Sequence, residues 1–589
     1  MKFRVLALDY DGTIAKDGVL SPEVKSAIAE ARARGIVVVI ATGRILSELR
    51  NVAGDLNFLD AVIAENGAVL AFPGAQTRIV GQLPPQSFFD ELQRRGVAFK
   101  SGQCVVEADA SVAPAILATI RELQLPLVIL FNRGRLMVLP QAISKGTGLR
   151  NALRMLRLSP HNAIAIGDAE NDHDLLAQCE LAAAVSWGSA TLQAAADEVI
   201  TGDGPSAVAT YIRHATAQTR LAAARAGRHA LTVGTDDDRR PVTPDVSGAN
   251  VLIVGGSQSG KSWVSGLFCE QMIVQDYSLC VIDPEGDYGA LESLPGVIVL
   301  GANTEQPPEM AEVARAIQHF DLSVVVDLSR VHLDEKVEYL KALLPMLASV
   351  RRATGLPHRI VVDEAHYFLR EPNIKQLLDL QLGAYTLVTY RPSDLHPDVR
   401  SAIDVVVAKR LTDSQEVQAL MAMVKNANVD PGSVAILQAL ATDEAVFATT
   451  RTRQLRRFKL LPRLTTHVRH REKYFDFDVV SGQEFVFTQN GKPIGSPARS
   501  LGQFAALLQG CAGETLGDHA RRGDFSRWIA NVFHDHRLAS EVRKIEQQHR
   551  LGHLADVRQP IAALITEQYG SPADGSLAGG GLEEGEGVP

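Results

Sequence analysis

At 589 residues the chain is too long for one hydrophobic core, and at roughly 150 residues per domain it is expected to fold as about four domains. Hydrophobic residues at 46% and charged residues at 22% exclude global disorder, and no window approaches about 18 uninterrupted apolar residues, so no membrane span is expected. The net charge of -9 repels polyanions overall, so a nucleic acid would need a local basic patch. From Met1 to about Arg213, β-branched runs alternate with helical periods, and strands are read at Arg4–Leu8, Ile36–Ala41, Ala61–Ala64 and Ala163–Gly167. The alternation predicts a parallel sheet covered by helices. The first helix carries Ser21 as N-cap, Pro22 in its first turn, Val24 and Ile28 on one face, and Gly35 as terminator.

Between about Arg78 and Pro140 the texture changes to a helix near Gln86–Arg95, a strand near Cys104–Glu107, a helix near Val112–Leu123 and a strand pair turning at Arg133-Gly134. This stretch reads as an inserted α+β cap. Residues 214–247 pass from an Ala/Arg-rich helix to the polar run Thr235–Pro241, which has no apolar face and reads as a linker. A second α/β alternation over 248–465 has strands at Val251–Val254, Leu279–Ile282, Val297–Leu300, Val324–Asp327, Ile360–Val362, Leu387–Thr389 and Val405–Ala408. Residues 473–570 read as a small α-rich module, with an antiparallel pair around Asn490-Gly491 and a helix opened by a capping box from Ser500 to Gln503. The Gly/Glu-rich end, 571–589, is expected to be disordered.

The first chemical constellation is Asp9-Tyr10-Asp11-Gly12-Thr13, directly after an apolar strand. Its carboxylates are expected at the C-terminal edge of the sheet, where such folds place their sites. The spacing aims Asp9 and Asp11 at one locus, and converging carboxylates repel unless a cation such as Mg²⁺ is present. Thr42-Gly43-Arg44 ends a second strand, Asp168-Ala169-Glu170-Asn171-Asp172 ends a third, and Lys145 supplies a cation, so that four strand ends are expected to meet.

These motifs resemble the haloacid dehalogenase-like phosphatases, in the subgroup whose cap follows the second motif (type IIB, sucrose-phosphatase-like), over residues 1–213. The resemblance implies a Rossmann-like core with Asp9 as the nucleophile that forms an aspartyl-phosphate and Asp11 as acid and base. It implies that Thr42 binds phosphoryl oxygens and that Lys145 neutralises transition-state charge. Asp168, with Asn171 and Asp172, would hold Mg²⁺ together with Asp9 and the Asp11 carbonyl. Glu65-Asn66-Gly67 resembles the loop of the subgroup near the phosphate, and relatives take sugar phosphates, phosphoglycolate or other small phosphomonoesters. Within the cap, Arg133 and Arg135 either steer an anion or form a solvated hairpin tip.

The second constellation is the loop Gly255-Gly256-Ser257-Gln258-Ser259-Gly260-Lys261-Ser262, with a strand before it and a helix after it. Such a loop turns backbone amides onto phosphates, with Lys261 on the β- and γ-phosphates of ATP and Ser262 on Mg²⁺. Asp363-Glu364 follows a further strand, where Asp363 would complete the Mg²⁺ shell and Glu364 would polarise water. Val281–Tyr288, Val362–His366 and Leu387–Ser393 resemble the HerA/FtsK-type hexameric ATPases over residues 246–465. That resemblance implies a RecA-like P-loop domain, a homo-oligomeric ring and an arginine finger, with Arg351, Arg352, Arg391 and Arg410 as candidates. Tyr390 stands where that family commonly has a glutamine that senses the γ-phosphate, a departure that bears on turnover rather than on binding.

Nine Lys or Arg between Arg451 and Lys473 would line a pore, grip phosphates or protect a strand edge. In the C-terminal module, His519 is either catalytic or a hydrogen-bonded core histidine, and Phe525, Trp528 and Ile529 have the spacing of a buried helical face. The cysteines, Cys104, Cys179, Cys269, Cys280 and Cys511, are odd in number and never spaced as C-x-x-C, which fits a reducing cytoplasm; no signal peptide is read. Three functions are open. One is a Mg²⁺-dependent phosphomonoesterase for a small phosphorylated metabolite, tethered to an ATPase. The second is a nucleic-acid translocase or defence-type machine with a polynucleotide end phosphatase, and the third is an ATP-gated regulatory phosphatase with weak ATPase.

Overall fold

The computed structural model describes residues 2–74, 77–132, 134–218, 228–244, 246, 248–256, 259–302, 304–370, 372–424, 431–449, 455–465, 475, 479, 482–489, 491–533 and 535–569. Arg133, Ser257, Gln258, Asn490, residues 451–454 and 466–474 of the basic stretch and the Gly/Glu-rich tail lie outside them. The chain divides into one unit of residues 1–302, 307–329 and 334–465 and another of residues 303–306, 330–333 and 466–589.

In the first unit, an eight-stranded sheet runs in the order Glu198–Ile200, Leu181–Val185, Ala163–Gly167, Val5–Asp9, Val37–Ala41, Ala61–Ala64, Val69–Ala71, Arg78–Ile79. Six of these strands are parallel, and Val69–Ala71 and Arg78–Ile79 close the edge antiparallel. Val5–Asp9 is buried along its whole length because helices cover both faces, which is why it reads as an unbroken apolar run. The register sets Asp9 beside Ala41 and Leu8 beside Ile166, so the residues after these strands share one edge. The first helix, Pro22–Ala33, buries Val24 and Ile28 as expected, although the Ser21 side chain makes no capping bond.

The cap is a four-stranded antiparallel sheet, Leu127–Asn132, Arg135–Pro140, Val106–Asp109, Phe99–Ser101, with helices Gln86–Arg94 and Ala113–Glu122 packed on a core that includes Phe88, Leu92, Ile116 and Val138. A second large sheet has eleven strands, with Val251–Val254 between Val405–Ala408 and Tyr385–Thr389, and Arg359–Val362 next to the latter. These four strands are parallel.

Part of the expected linker, residues 234–242, belongs to this sheet. Thr235–Pro241 is the polar turn of a hairpin, Gly234–Thr235 and Pro241–Val242, whose first strand pairs with Arg456–Leu460, while Leu231, Val233 and Val242 enter the second core. The polarity belongs to the turn, where Asp236 Oδ1 accepts from the amides of Asp238 and Arg240 at 3.1 and 2.9 Å. The described arginines of the basic stretch are already paired: Arg456 with Asp236, Arg457 with Glu444, and Arg463 with Glu270. Arg456–Leu460 is paired on both sides, with Gly234–Thr235 and with Glu444–Thr449, so this part of the stretch is not a strand edge, and Arg463 is tied to the helix Lys261–Val274.

The second unit has a hairpin, Thr488–Gln489 and Lys492–Pro493, followed by helices Leu501–Gly510, Gly513–Arg522, Asp524–Val532, His536–Arg550 and Arg558–Tyr569. Phe525, Trp528 and Ile529 are buried with Phe485 and Phe504. Ser500 caps its helix by accepting from the Gln503 amide, and the return bond from Gln503 reaches the Arg499 amide instead of the Ser500 amide. Among the described residues, no helix is long and apolar enough to cross a membrane.

Candidate active site

Three strand ends bring Asp9, Thr42 and Asp168 together, and a fourth carries Glu65 and Asn66. Lys145 arrives differently from the expected strand end: it is the first residue of the helix Lys145–Leu156, which Ser144 caps through the Thr147 amide. Lys145 is 1% exposed and bridges two carboxylates, Asp9 Oδ1 at 2.5 Å and Asp172 Oδ1 at 2.6 Å. The other oxygen of Asp172 accepts from the amides of Asp168 and Ala169 at 2.9 and 3.0 Å. Asp172 thus positions the lysine and its own loop, and its carboxylate remains in the group that could hold a metal ion.

Asp9 is 4% exposed and its Oδ2 is buried with no hydrogen-bond partner. Burial, then Asp172, and also Asp168 push its carboxyl well above the ordinary range, against the pull of Lys145. Burial alone would lower the Lys145 ammonium, but Asp172 and Asp9 outweigh it and hold the protonated form. Ligand oxygens of Asp9, Asp168 and Asp172 lie within 4.8 Å of one another, and Asp168 also accepts from Thr13 Oγ1 at 3.2 Å. An orphaned carboxylate oxygen facing further carboxylates is a donor set that fits a hard divalent cation, with Asp9 and Asp168 as the residues to hold Mg²⁺.

Asp11 lines the same pocket, but its carboxylate turns to Arg44, whose Nε and one terminal nitrogen each donate at 2.6 Å. Sequence reading assigns Arg44 no partner. Thr42 is 1% exposed, and its Oγ1 accepts from the Arg44 amide at 3.1 Å. Asn171 Nδ2 donates to Asn66 Oδ1 at 3.4 Å, and its own Oδ1 is buried without a partner. From the cap, Glu107, Asn132, Arg135 and Met137 close the pocket, whose volume is ≈ 60 Å³. Arg135 pairs with Glu107, which is buried under it.

Glu65 fixes the cap against the core. Its carboxylate accepts from three cap amides, Gln103 at 2.9 Å, Cys104 at 2.7 Å and Val105 at 3.1 Å. Replacing Glu65 by Ala leaves buried amides unpaired and is expected to destabilise the protein by about 3 kcal/mol. Urea unfolding of both proteins would check this, and unchanged stability would remove Glu65 from this role.

In the second sheet, Val251–Val254 leads through Gly255 and Gly256 into the helix Lys261–Val274. Gly260 has φ +92°, and a Cβ on Gly255 would lie 2.6 Å from Lys409 Cβ, so both positions need glycine. Ser262 Oγ donates to Asp287 Oδ2 at 2.7 Å. Asp287 is held there because Asp283 accepts from the amides of Glu285, Gly286, Asp287 and Tyr288. Asp363 is 2% exposed, and burial, then Glu364, Asp287 and Asp283, push its carboxyl well up. Glu364 sits at φ +44° with its carboxylate 3.3 Å from His366 Nδ1.

The ring of Tyr390 lies under Lys261 Nζ at 5.6 Å and edge-on to His366. Lys409, which no motif flags, is buried behind the loop, donates to the carbonyls of Thr442 and Glu444, and is lowered to about 8 by burial. Among the candidate fingers, Arg351 is 2% exposed and donates to the carbonyls of Gly383 and Ala384, so it is structural. Arg352 pairs with Asp379, Arg391 lies over Tyr390, and Arg410 is exposed.

His519 Nδ1 lies 2.7 Å from Asp524 Oδ2, and Nε2 accepts from the Thr488 amide at 2.9 Å. With that nitrogen spent it is the hydrogen-bonded core histidine of the second unit, in place of a catalytic base.

The family model for haloacid dehalogenase-like hydrolases matches residues 6–93 and 100–212. The phosphoglycolate phosphatase of Methanopyrus kandleri is 29% identical over 219 residues, 35% of this chain and 94% of that protein. That of Methanothermobacter thermautotrophicus is 28% identical over 218 residues, 36% of this chain and 97% of that protein. A solved haloacid dehalogenase-like hydrolase from Bacteroides thetaiotaomicron aligns over 36% of this chain and 100% of its own, at 16% identity and a TM-score of 0.33.

Proposed function

From residue 6 to residue 212 the chain is a haloacid dehalogenase-like hydrolase domain, and we propose that it is a Mg²⁺-dependent phosphatase for small phosphomonoesters. The observation that carries this reading is the buried, unpartnered Oδ2 of Asp9, placed beside Lys145 and Asp168. That oxygen attacks phosphorus, the ester P–O bond breaks, and an aspartyl-phosphate forms on Asp9. Lys145 offsets the charge that grows on the phosphoryl oxygens, and Thr42 binds them. Asp11 gives the leaving oxygen its proton, then takes one from the water that hydrolyses the intermediate. Both of its oxygens accept from Arg44 in this conformation, so the pair has to open as the ester enters. Asp9 and Asp168 would hold Mg²⁺, which would supply the charge neutralisation that lets an anionic ester approach a carboxylate.

Arg135 and Asn132 line the pocket from the cap side, where they would face the organic part of a short phosphorylated acid or sugar. Two relatives named phosphoglycolate phosphatase guide the choice of compounds. The test is a panel of phosphoglycolate, sugar phosphates and p-nitrophenyl phosphate with Mg²⁺. Absence of turnover on every ester would sink the reading.

For residues 248–465 the reading is an ATP site of the HerA/FtsK type, supported by the strand-loop-helix around Lys261, the Ser262–Asp287 contact and the buried Asp363. Lys261→Ala is expected to weaken ATP binding by about 10²-fold while leaving p-nitrophenyl phosphate turnover intact. Calorimetric titration with ATP checks the first part; equal affinity in both proteins would reject the site. Tyr390 under Lys261 favours a nucleotide-gated phosphatase with slow ATP turnover over a translocase, since the described arginines of the basic stretch are engaged in ion pairs. Running the ester panel with and without ATP separates these readings: a gated phosphatase changes its turnover with ATP, and Lys261→Ala abolishes the change.

A further inference from the structure

We propose that His161, His229 and Glu180 form a binding site for a first-row divalent cation, Zn²⁺ foremost, where the hydrolase domain meets the second sheet. Among the described residues, these three and the Asp9 group are the clusters whose ligand atoms converge, here within 4.8 Å of one another. Two imidazoles and a carboxylate are a zinc donor set, in contrast to the all-oxygen set around Asp9. Tetrahedral bonds of about 2.0–2.1 Å put ligand atoms roughly 3.3 Å apart, so closure needs side-chain shifts on the order of 1 Å.

The hydrogen bonds around the histidines are those of metal ligands. His161 Nε2 lies 2.7 Å from the Gln275 carbonyl and His229 Nε2 lies 3.1 Å from the Cys179 carbonyl. A carbonyl only accepts, so each Nε2 carries the proton and each Nδ1 is left as the donor atom. His161 Nδ1 faces Glu180 Oε2 at 2.9 Å, and Tyr277 donates to the same oxygen at 2.8 Å while stacking on His161. His161 Nδ1 and Glu180 Oε2 thus face each other as two ligand atoms that one cation can bridge.

A cavity of ≈ 430 Å³ borders His161 and His229 and is lined also by Arg150, Arg154 and Tyr277. It provides an entry path and room for a water or small anion at the fourth position. The site also has a structural consequence. Gln275 follows directly on Lys261–Val274, the helix that begins at the phosphate-binding loop. A cation on His161 would anchor the far end of that helix to the hydrolase domain.

The test uses the full chain, stripped with EDTA and dialysed against Zn²⁺ with excess Mg²⁺. Elemental analysis is expected to find about one Zn²⁺ per chain, and Co²⁺ in its place is expected to give the intense visible bands of a tetrahedral site with nitrogen ligands. Zn²⁺ should raise the melting temperature of the wild type, because a cation that binds the folded chain stabilises it. His229→Ala and Glu180→Gln should lose the zinc, the Co²⁺ bands and the thermal shift, whereas Asp168→Asn should keep all three. His229 is only partly buried, so its variant carries the test if His161→Ala fails to fold. The proposal is overturned if the wild type retains no zinc, if His229→Ala and Glu180→Gln retain it undiminished, or if Asp168→Asn loses it.

Discussion

Asp9→Asn is expected to lower phosphatase turnover by about 10⁴-fold or more, because an amide neither attacks phosphorus nor forms the acyl phosphate. Stability should move the other way. The folded-state pKa of Asp9 is raised by burial and by Asp172 and Asp168, so the native state binds its proton more tightly than the unfolded chain does. Its contribution to stability is then fully present below the ordinary Asp range and is lost as pH rises through the raised value. At neutral pH without Mg²⁺ the ionised carboxylate is a cost, and asparagine removes it. The variant should therefore gain about 0.5–2 kcal/mol in EDTA at neutral pH, a gain that disappears below about pH 4 and on adding Mg²⁺ to the wild type. Urea melts at both pH values, with and without Mg²⁺, would decide it. A variant less stable than wild type at neutral pH in EDTA would mean that Asp9 is held for structural reasons.

What could be read from the sequence is what lies close along the chain. Val5–Asp9 and Ala163–Gly167 are legible because a strand buried on both faces is an apolar run, and the polar residue that ends it marks the sheet edge. The cap is legible from its change of period, and its two helices and the hairpin are where that change places them. Side-chain pairings between distant residues leave no such trace. Arg44 reaching Asp11 and Glu65 reaching the amides of residues 103–105 depend on where the sheet and the cap place the chain. A glutamate directly after an apolar strand, at φ +52°, is the only local hint of the second. The hairpin at Thr235–Pro241 shows the opposite error: its turn is conspicuous in charge, while the strands beside it are two residues each and too short to show alternation. The histidine and glutamate cluster is invisible for the same reason as Arg44, since residues 161, 180 and 229 lie far apart along the chain.

Lys145→Ala is expected to cost both activity and stability, and the two losses have one cause. The ammonium sits between Asp9 and Asp172, each almost fully buried, and its removal leaves two neighbouring carboxylates, with Asp168 close by, facing no cation. Breaking a buried pair in this way costs about 3–5 kcal/mol. Turnover should fall by about 10²–10³-fold or more, because the charge that grows on the phosphoryl oxygens loses a preorganised partner. The pKa of Asp9 should rise further once the lysine no longer opposes burial and Asp172, so the acid limb of kcat/KM should move to higher pH in the variant. In the wild type, by contrast, Lys145 has a folded pKa above its ordinary value. Its stabilisation is fully present below the unfolded lysine value and fades only as pH rises through the folded one, so it should cause no loss of stability between pH 5 and 9, a window well below about 10.4. Mg²⁺ should restore stability to Lys145→Ala more than to wild type, since a divalent ion can neutralise the carboxylates that the lysine has left, but it should not restore turnover. A variant with wild-type stability and an unmoved acid limb would show that the lysine is not what balances Asp9 and Asp172.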